Sequence, residues 1–402
     1  IWCNGPGGLD CAAINVSGAY GIATVNIKGG TLIAEAKSLI TEGTTYTPVI
    51  NVTGGTFSDP SALKYMKTNA NVNIKLTADK TCPGFKTTSG QTLTMDLGGK
   101  ILTLADPTVG STGTETNSCQ LLEGSNVTFK NGTLKSDNNK IMIQNYCNLT
   151  LDNMTVEDTN AQYVVSNNCG NISINNTTIN AGSNANQFAF DVCGYAKYTA
   201  GVTVTVSGTS VINGKVEISK SAGNTEPMKL NITGGTFNGG LKEERYAGSE
   251  NAKSIISVSG GTFSDPSVLK YMATNATVDI KLLSNINIAK TELATGYILN
   301  AANATANLNL NGHDIINSSE TADATPFTQI FTVQNGTLNI SGNGNVKCDA
   351  SATAKDDGYR MVIEARGHGT VNIHGGSYYN TQKLNTQIDL IYARENGKIN
   401  IY

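Results

Sequence analysis

The chain has 402 residues with nearly balanced charge, because 28 Lys and Arg stand against 31 Asp and Glu for a net charge of −3. Charged residues make up 15% of the chain, whereas a soluble globular domain usually has about 25%. This balance leaves no basic stripe for nucleic acid, and no apolar run reaches the roughly 20 residues of a membrane-spanning helix. The composition therefore predicts neither a nucleic-acid partner nor membrane insertion, and it favours a loop-rich β protein.

Residues 1–20 precede the first repeat and are predicted to be an N-terminal connection or cap. Cys3 and Cys11 lie close in sequence and could pair if the protein is exported to an oxidising compartment. The first residues contain neither an initiator Met nor a charged leader. The last residues, ENGKINIY (395–402), stop where other copies of the pattern continue into a turn. We expect the chain to be part of a longer polypeptide.

A long repeat begins at residue 54. GGTFSDPSALKYMKTNANVNIKL (54–76) returns as GGTFSDPSVLKYMATNATVDIKL (260–282), with 19 of 23 positions identical and an offset of 206 residues. In the first copy, Ser58 or Asp59 followed by Pro60 is typical of the start of a helix. The sequence therefore predicts a short lateral helix beginning at Pro60 and another beginning at Pro266.

A shorter repeat fills most of the remaining chain. VTFKNGTL (127–134), LTLDNMTV (149–156) and ISINNTTI (172–179) follow one another at spacings of 22 and 23 residues. Their alternation of apolar and polar residues predicts strands, and the central Asn predicts a tight turn. A short apolar run precedes most copies: QLLE (120–123), IMIQ (141–144), YVVS (163–166), FAFD (188–191), IFTV (330–333), MVIE (361–364) and LIYA (390–393).

Each repeat, here called a rung, is thus predicted to contain three short strands in 21–33 residues. A single rung cannot bury its apolar residues, so it must stack on its neighbours. This predicts an all-β fold, a right-handed parallel β-helix, with the apolar runs on one sheet and the alternating segments on the next. Residues 21–253 form the predicted first block, and residues 254–402 form a second, duplicated block of one continuous solenoid.

Two sets of residues are predicted to stack as ladders. Cys147, Cys169 and Cys193 each follow the first strand of successive rungs, at spacings of 22 and 24 residues. Reduced thiols filling stacked turns are favoured, a disulfide between neighbouring rungs stays open, and no CxxC pair or His cluster supports a metal site. The second set occupies one turn position and predicts an asparagine ladder: Asn131, Asn153 and Asn176.

The phrases LNITGGTF (230–237), GGTFSDPSALKYM (54–66) and LNLNGHDIINS (308–318) resemble the β-helical surface and fibre proteins of gut bacteria and of the bacteriophages that infect them. Those proteins have the pectate-lyase-like right-handed β-helix architecture, and the resemblance covers most of the chain after residue 20. It implies architecture more strongly than activity, because adhesins, fibres and polysaccharide lyases share the same stacking constraints.

From this resemblance we expect a structural, non-enzymatic shaft of an extracellular appendage, a bacteriophage head or tail fibre on the virion surface. Its expected partners are other virion or surface subunits, a homotrimer of this chain among them, and a host cell-surface glycan. No cofactor or metal is expected. A bacterial cell-surface adhesin is the first alternative, because it would have the same fold on a different particle.

A polysaccharide depolymerase is the second alternative. Arg366, Gly367 and His368, followed by Gly369, resemble the Gly-His-Gly turn of polygalacturonase-like glycosidases, and Asp356 and Asp357 resemble their paired aspartates. Such an enzyme needs an acid and a base on opposite sides of the sugar bond, yet the aspartates lie less than one rung upstream. The family's Asn-Thr-Asp and Arg-Ile-Lys elements are missing. A glycine-containing turn with an exposed His is therefore the favoured interpretation.

Overall fold

The computed structural model describes most of the chain in two compact units. The first contains Ile1–Leu230 and Lys242–Ile255, and the second contains Asn231–Leu241 and Ile256–Tyr402. Residues 231–241, which lie within the predicted first block, belong to the second unit. The described residues are 1–3, 12–42, 45–105, 109–110, 115–137, 140–194, 201–220, 226–245, 254–288, 296–317, 327–348, 359–381 and 388–402.

The described part of the chain consists of short strands and two 3₁₀ helices, numbered here in chain order. The first unit contains β1 Trp2–Cys3, β2 Ala12–Ser17, β3 Thr24–Ile27, β4 Thr31–Ala34, β5 Lys37–Glu42, β6 Val49–Phe57, the first 3₁₀ helix Pro60–Tyr65, β7 Met66–Lys75, β8 Lys80–Pro83, β9 Phe85–Thr87, β10 Thr92–Asp96, β11 Ile101–Ala105, β12 Asn117–Leu121, β13 Asn126–Lys135, β14 Ile141–Asn145, β15 Asn148–Asp158, β16 Tyr163–Asn167, β17 Asn171–Asn175, β18 Thr178–Ala181, β19 Phe188–Gly194, β20 Val202–Ser207, β21 Val211–Asn213 and β22 Lys215–Lys220.

The remaining strands complete the chain. Those at the boundary of the units are β23 Met228–Ile232, β24 Thr236–Phe237, β25 Leu241–Arg245 and β26 Ser254–Val258. The second unit continues with β27 Thr262–Phe263, the second 3₁₀ helix Pro266–Tyr271, β28 Thr277–Lys281, β29 Ile286–Ile288, β30 Tyr297–Asn309, β31 Ile315–Asn317, β32 Phe327–Thr328, β33 Phe331–Ser341, β34 Asn345–Cys348, β35 Tyr359–Ile373, β36 Ser377–Asn380, β37 Ile388–Ala393 and β38 Lys398–Ile401.

The core of the first unit is built from columns of apolar side chains. Strands β7, β10, β13, β15, β17 and β20 pair in parallel and in register, so that like residues lie above like residues. Alternate residues point inward because successive side chains of a strand face opposite sides. One fully buried column consists of Ile74, Met95, Phe129, Leu151, Ile174 and Val206. Outward-facing residues of the same strands are mostly Thr, Ser and Asn.

The asparagine turns bend the chain without ending the strand. Asn131 and Asn153 have φ values of 59° and 53°, in the left-handed region that Asn enters more readily than most residues. Strands β13 and β15 nevertheless run through these turns, because pairing resumes at Gly132 with Met154 on the far side. The predicted second and third strands of these rungs are therefore one bent strand.

The predicted division of the strands between two sheets is correct only in the first unit. QLLE, IMIQ, YVVS and FAFD fall on or overlap β12, β14, β16 and β19, which pair in parallel in a separate sheet. IFTV, MVIE and LIYA fall largely on β33, β35 and β37, which belong to the sheet of the alternating segments. The prediction fails there because β33 and β35 pass the bend at Val333/Asn335 with only a shift of register.

The second unit repeats the same stacking. Strands β28, β30, β33, β35 and β38 pair in parallel, and Phe237 stacks on Phe263 with ring centroids 5.0 Å apart. Its inner column contains Val278, Ala306, Leu338 and Val371, all buried. Every named strand pair whose register is described in either unit is parallel, as expected for a β-solenoid.

Both predicted helices are present, as 3₁₀ helices of six residues. Asp59 and Asp265 cap them, each accepting a hydrogen bond from the backbone N–H two residues later, at 2.8 and 2.7 Å. Pro60 and Pro266 occupy the first helical position, where no N–H is needed. The helices are short because each closes with an i→i+3 bond, and in the first copy β7 follows immediately.

Candidate functional site

The turn that resembles the glycosidase motif lies inside β35. His368 is exposed and pairs with Asn335 of β33, and the Gly367 N–H donates to a Glu395 carboxylate oxygen at 3.2 Å. A Cβ on Gly369 would lie 2.0 Å from the Val333 carbonyl oxygen. Gly367 has a φ of 59°. Gly369 is thus required by the close approach of neighbouring rungs, and Gly367 suits a left-handed backbone. Neither requirement involves catalysis.

The aspartates proposed as partners of this turn, Asp356 and Asp357, lie outside the described residues. Arg366 is half-buried beside the exposed His368. Within the described ranges, no group of three or more His, Cys, Asp or Glu residues is arranged to hold a metal ion. The described carboxylate at this turn is that of Glu395, which accepts from Gly367, and the glycosidase interpretation stays a hypothesis about Asp356 and Asp357.

The three predicted ladder asparagines adopt the same left-handed conformation, with φ of 47° for Asn176. The Asn153 side chain donates to the Asn131 oxygen at 3.1 Å, and Asn131 donates to Asp96 at 3.1 Å. The Asn176 oxygen instead accepts from the backbone N–H of Thr209 at 3.0 Å. The amides thus link neighbouring rungs on the outside of the first unit.

A longer amide ladder in the second unit escaped the sequence analysis. Each asparagine donates to the side chain in the rung before it at 2.8–3.0 Å, in the series Asp279, Asn307, Asn339, Asn372 and Asn400, where Asp279 accepts only. The signal was present in the sequence as the second residue of ANL (306–308), LNI (338–340), VNI (371–373) and INI (399–401), between two apolar residues. Because an amide both donates and accepts, such a column can continue through any number of rungs.

Two of the predicted ladder cysteines occupy corresponding turns. Asn145 pairs with Asn167, and Cys147 and Cys169 each follow that residue by two positions. Both thiols are free and buried. Burial is the main cause that raises the pKa of Cys147 to about 11 and that of Cys169 to about 12. These thiols are therefore protonated, unreactive fillers at neutral pH.

The third predicted member, Cys193, lies within β19 and pairs with Ser219 of β22. Its thiol is also free. The pairing of β16 with β19 joins Tyr163 to Phe188 and Val165 to Phe190, and the stacking of Cys193 on Cys169 stays a prediction.

A buried pair of carboxylates was not anticipated. Asp191 and Glu217 are neighbours in paired strands and are each 4% exposed. Asp191 accepts from the Asn167 backbone N–H and from the Ser166 hydroxyl, and Tyr163 donates to Glu217 at 2.7 Å. Burial is the main cause that raises the pKa of Asp191 to about 7, with the Asn167 N–H opposing the shift and Glu217 adding to it.

A groove lies in the first unit, beside the first 3₁₀ helix. It has a volume of about 810 Å³, within the range of roughly 300–1,000 Å³ that small-molecule sites occupy. Apolar side chains of Pro60, Leu63 and Pro83 line part of it. Five elements contribute one lysine each, namely Lys37 in β5, Lys64 in the helix, Lys67 in β7, Lys80 in β8 and Lys86 in β9.

Among the described residues that line this groove, Asp59 is the acidic one, and the fold holds it in place. Asp59 is 2% exposed, and its carboxylate accepts from Ser61 N–H and from both the backbone N–H and the hydroxyl of Ser38. Lys80 donates to the carbonyl oxygens of Glu35 and Ala36 at 2.8 and 3.0 Å. The remaining lysines therefore leave the groove with an excess of positive charge.

Comparison with known proteins yields no matching family model, no matching curated protein and no matching solved structure. Among the residues described, no helix has the length and apolar character to span a membrane. Three structural features of this chain bear on its function: the parallel stacking of its strands, the amide ladders and the positively charged groove.

Proposed function

We propose that the chain is a right-handed parallel β-helix, of the pectate-lyase-like kind, that serves as a structural, non-enzymatic shaft of an extracellular appendage. The appendage we propose is a bacteriophage head or tail fibre that contributes to attachment at the host surface. Other virion subunits, including further copies of this chain in a homotrimer, are the partners in this proposal.

The observation that carries the proposal is the in-register stacking of like residues in both units. Inward columns such as Ile74 to Val206 and the outward ladder from Asp279 to Asn400 link rung to rung. Such stacking gives each rung contacts only with its neighbours, so the fold tolerates added rungs and resists bending. A shaft requires this property along its length, whereas an enzyme requires one set of side chains at one place.

Immunogold labelling tests the proposal. Antibody raised against residues 1–402 should decorate fibres on purified phage particles, and light scattering should give three times the chain mass. Labelling of bacterial cell walls in the absence of phage would favour the adhesin instead. Release of oligosaccharides from capsular polysaccharide by the purified chain, abolished by His368→Ala, would overturn the non-enzymatic assignment.

A further inference from the structure

The lysine groove concentrates charge in a protein that is otherwise nearly neutral. The described residues of its lining include five lysines and one carboxylate, although the whole chain has a net charge of −3. Lys37, Lys67 and Lys86 are exposed, and none of them forms an ion pair with a described residue. Like charges gathered around a concave surface repel one another and attract anions from solution.

The duplicated copy indicates that stacking does not require Lys67. The segment 260–282 keeps the Pro, the Leu-Lys-Tyr sequence and the cap of the first copy, but it has Ala273 where the first copy has Lys67. Both copies form the same six-residue 3₁₀ helix. The helix therefore forms with alanine at this position, and helix formation does not explain why the first copy has the charged residue Lys67.

We infer that this groove binds an acidic glycan chain, with its lysines on carboxylate or phosphate groups and its apolar wall against the sugar rings. This inference rests on the proposed extracellular function, which makes surface polysaccharides the polyanions that the protein meets. Lysine ammonium groups are flexible point charges that accept anions in many geometries. Recognition by this groove should consequently be salt-dependent and tolerant of the exact sugar.

Titration calorimetry with the full 402-residue chain tests the inference. The probes are an oligogalacturonate, which has carboxylates, and a glycerol phosphate oligomer, which has phosphates. A neutral maltohexaose and a single-stranded DNA of equal charge serve as comparisons. The groove variant is Lys37→Gln/Lys67→Gln/Lys86→Gln. The matched control is Lys75→Gln/Lys281→Gln/Lys398→Gln, which removes the same charge from exposed positions outside the groove, and circular dichroism checks that both variants fold.

We expect at least one acidic oligosaccharide to bind, about tenfold or more weakly to the groove variant and within about twofold of wild type to the control. Binding should weaken as salt is raised, and the maltohexaose should not bind. The stronger of the two acidic probes identifies the anionic group. Equal losses in the two variants, binding to neither acidic probe, or equally tight binding of DNA would each overturn the inference.

The calorimetry tests the groove assignment and the immunogold labelling tests the proposed function, so a negative result in one can be distinguished from a negative result in the other. A chain found on virion fibres that binds no acidic oligosaccharide contradicts the groove assignment and leaves the shaft intact. A chain whose groove binds acidic oligosaccharides but which labels no extracellular particle contradicts the proposed function alone.

Discussion

At the scale of single residues, the inward columns decide stability. Val204 is fully buried between stacked rungs, and the adjacent Thr205 faces outward and is half-buried. Val204→Asp would bury an unpaired carboxylate and should destabilise the first unit by about 3–5 kcal/mol. Thr205→Asp should cost far less, because its charge remains in contact with water. Urea unfolding of the two variants measures the difference, and equal losses would contradict the inward column.

The buried carboxylate Asp191 predicts a pH-dependent stability. Its pKa is raised in the folded protein to about 7, above the value of about 3.9 for an unfolded chain. The folded protein therefore favours the protonated form of Asp191. The stability that this preference provides is fully present below about pH 4 and is lost as the pH rises through about 7. Asp191→Asn should raise the melting temperature at pH 8 more than at pH 4.

Glu35→Gln provides the control for Asp191, because it makes the same acid-to-amide change at an exposed position. Ser166 and Glu217 adjoin Asp191, Tyr163 donates to Glu217, and all three remain unchanged in both variants. An Asp191→Asn variant with the same change of melting temperature at pH 4 and pH 8 would show that Asp191 does not titrate in this range.

At the scale of elements, the outward ladder should contribute measurably to the second unit. The Asn339 side chain donates to Asn307 and accepts from Asn372, both at 2.8 Å. Asn339→Ala removes both bonds and should cost about 1–2 kcal/mol. Asn343→Ala, at an exposed position nearby, should cost little. Thermal unfolding compares them, and a ladder variant as stable as wild type would mean that water replaces the amide.

The two 3₁₀ helices offer a matched pair of caps. Asp59→Ala removes the bond to Ser61 and leaves the buried Ser38 N–H without its acceptor, so it should cost about 2–4 kcal/mol. Asp265→Ala removes the bond to Ser267 and should cost about 1 kcal/mol. Hydrogen exchange at each helix reports the losses, and a larger effect at Asp265 would contradict this ranking.

The sequence predicted the position of both helices because Asp-Pro is a strong local signal. It did not predict their 3₁₀ geometry, which follows from the i→i+3 bond that closes each helix. It also separated the strands on either side of Asn131, although pairing with the next rung keeps β13 continuous. Local residue preferences mark a bend, but hydrogen bonding to a neighbouring rung decides whether the strand ends there.

At the scale of the whole molecule, the chain should behave as a protein of free, shielded thiols. Six of its eight cysteines are described as free, and burial is the main cause that raises the pKa of Cys82 to about 12. Iodoacetamide at pH 7 should therefore label the native protein slowly. Unfolding without reductant should add at least six labels, as counted by mass spectrometry.

The count also tests the open alternatives. Eight labels would mean that Cys3 and Cys11 are reduced, and six would mean that they are paired. Fewer than six would contradict the free thiols of the described residues.

The sequence by itself determined the repeat, the all-β class, the parallel stacking and the two helix positions, because all of these follow from local patterns repeated at a fixed spacing. Only the tertiary structure decided which side chains meet. It placed Asp191 beside Glu217 and gathered lysines from five elements around one groove. The physical reason is register: a shift of a single residue, invisible in composition or period, moves a side chain to the opposite face of its strand.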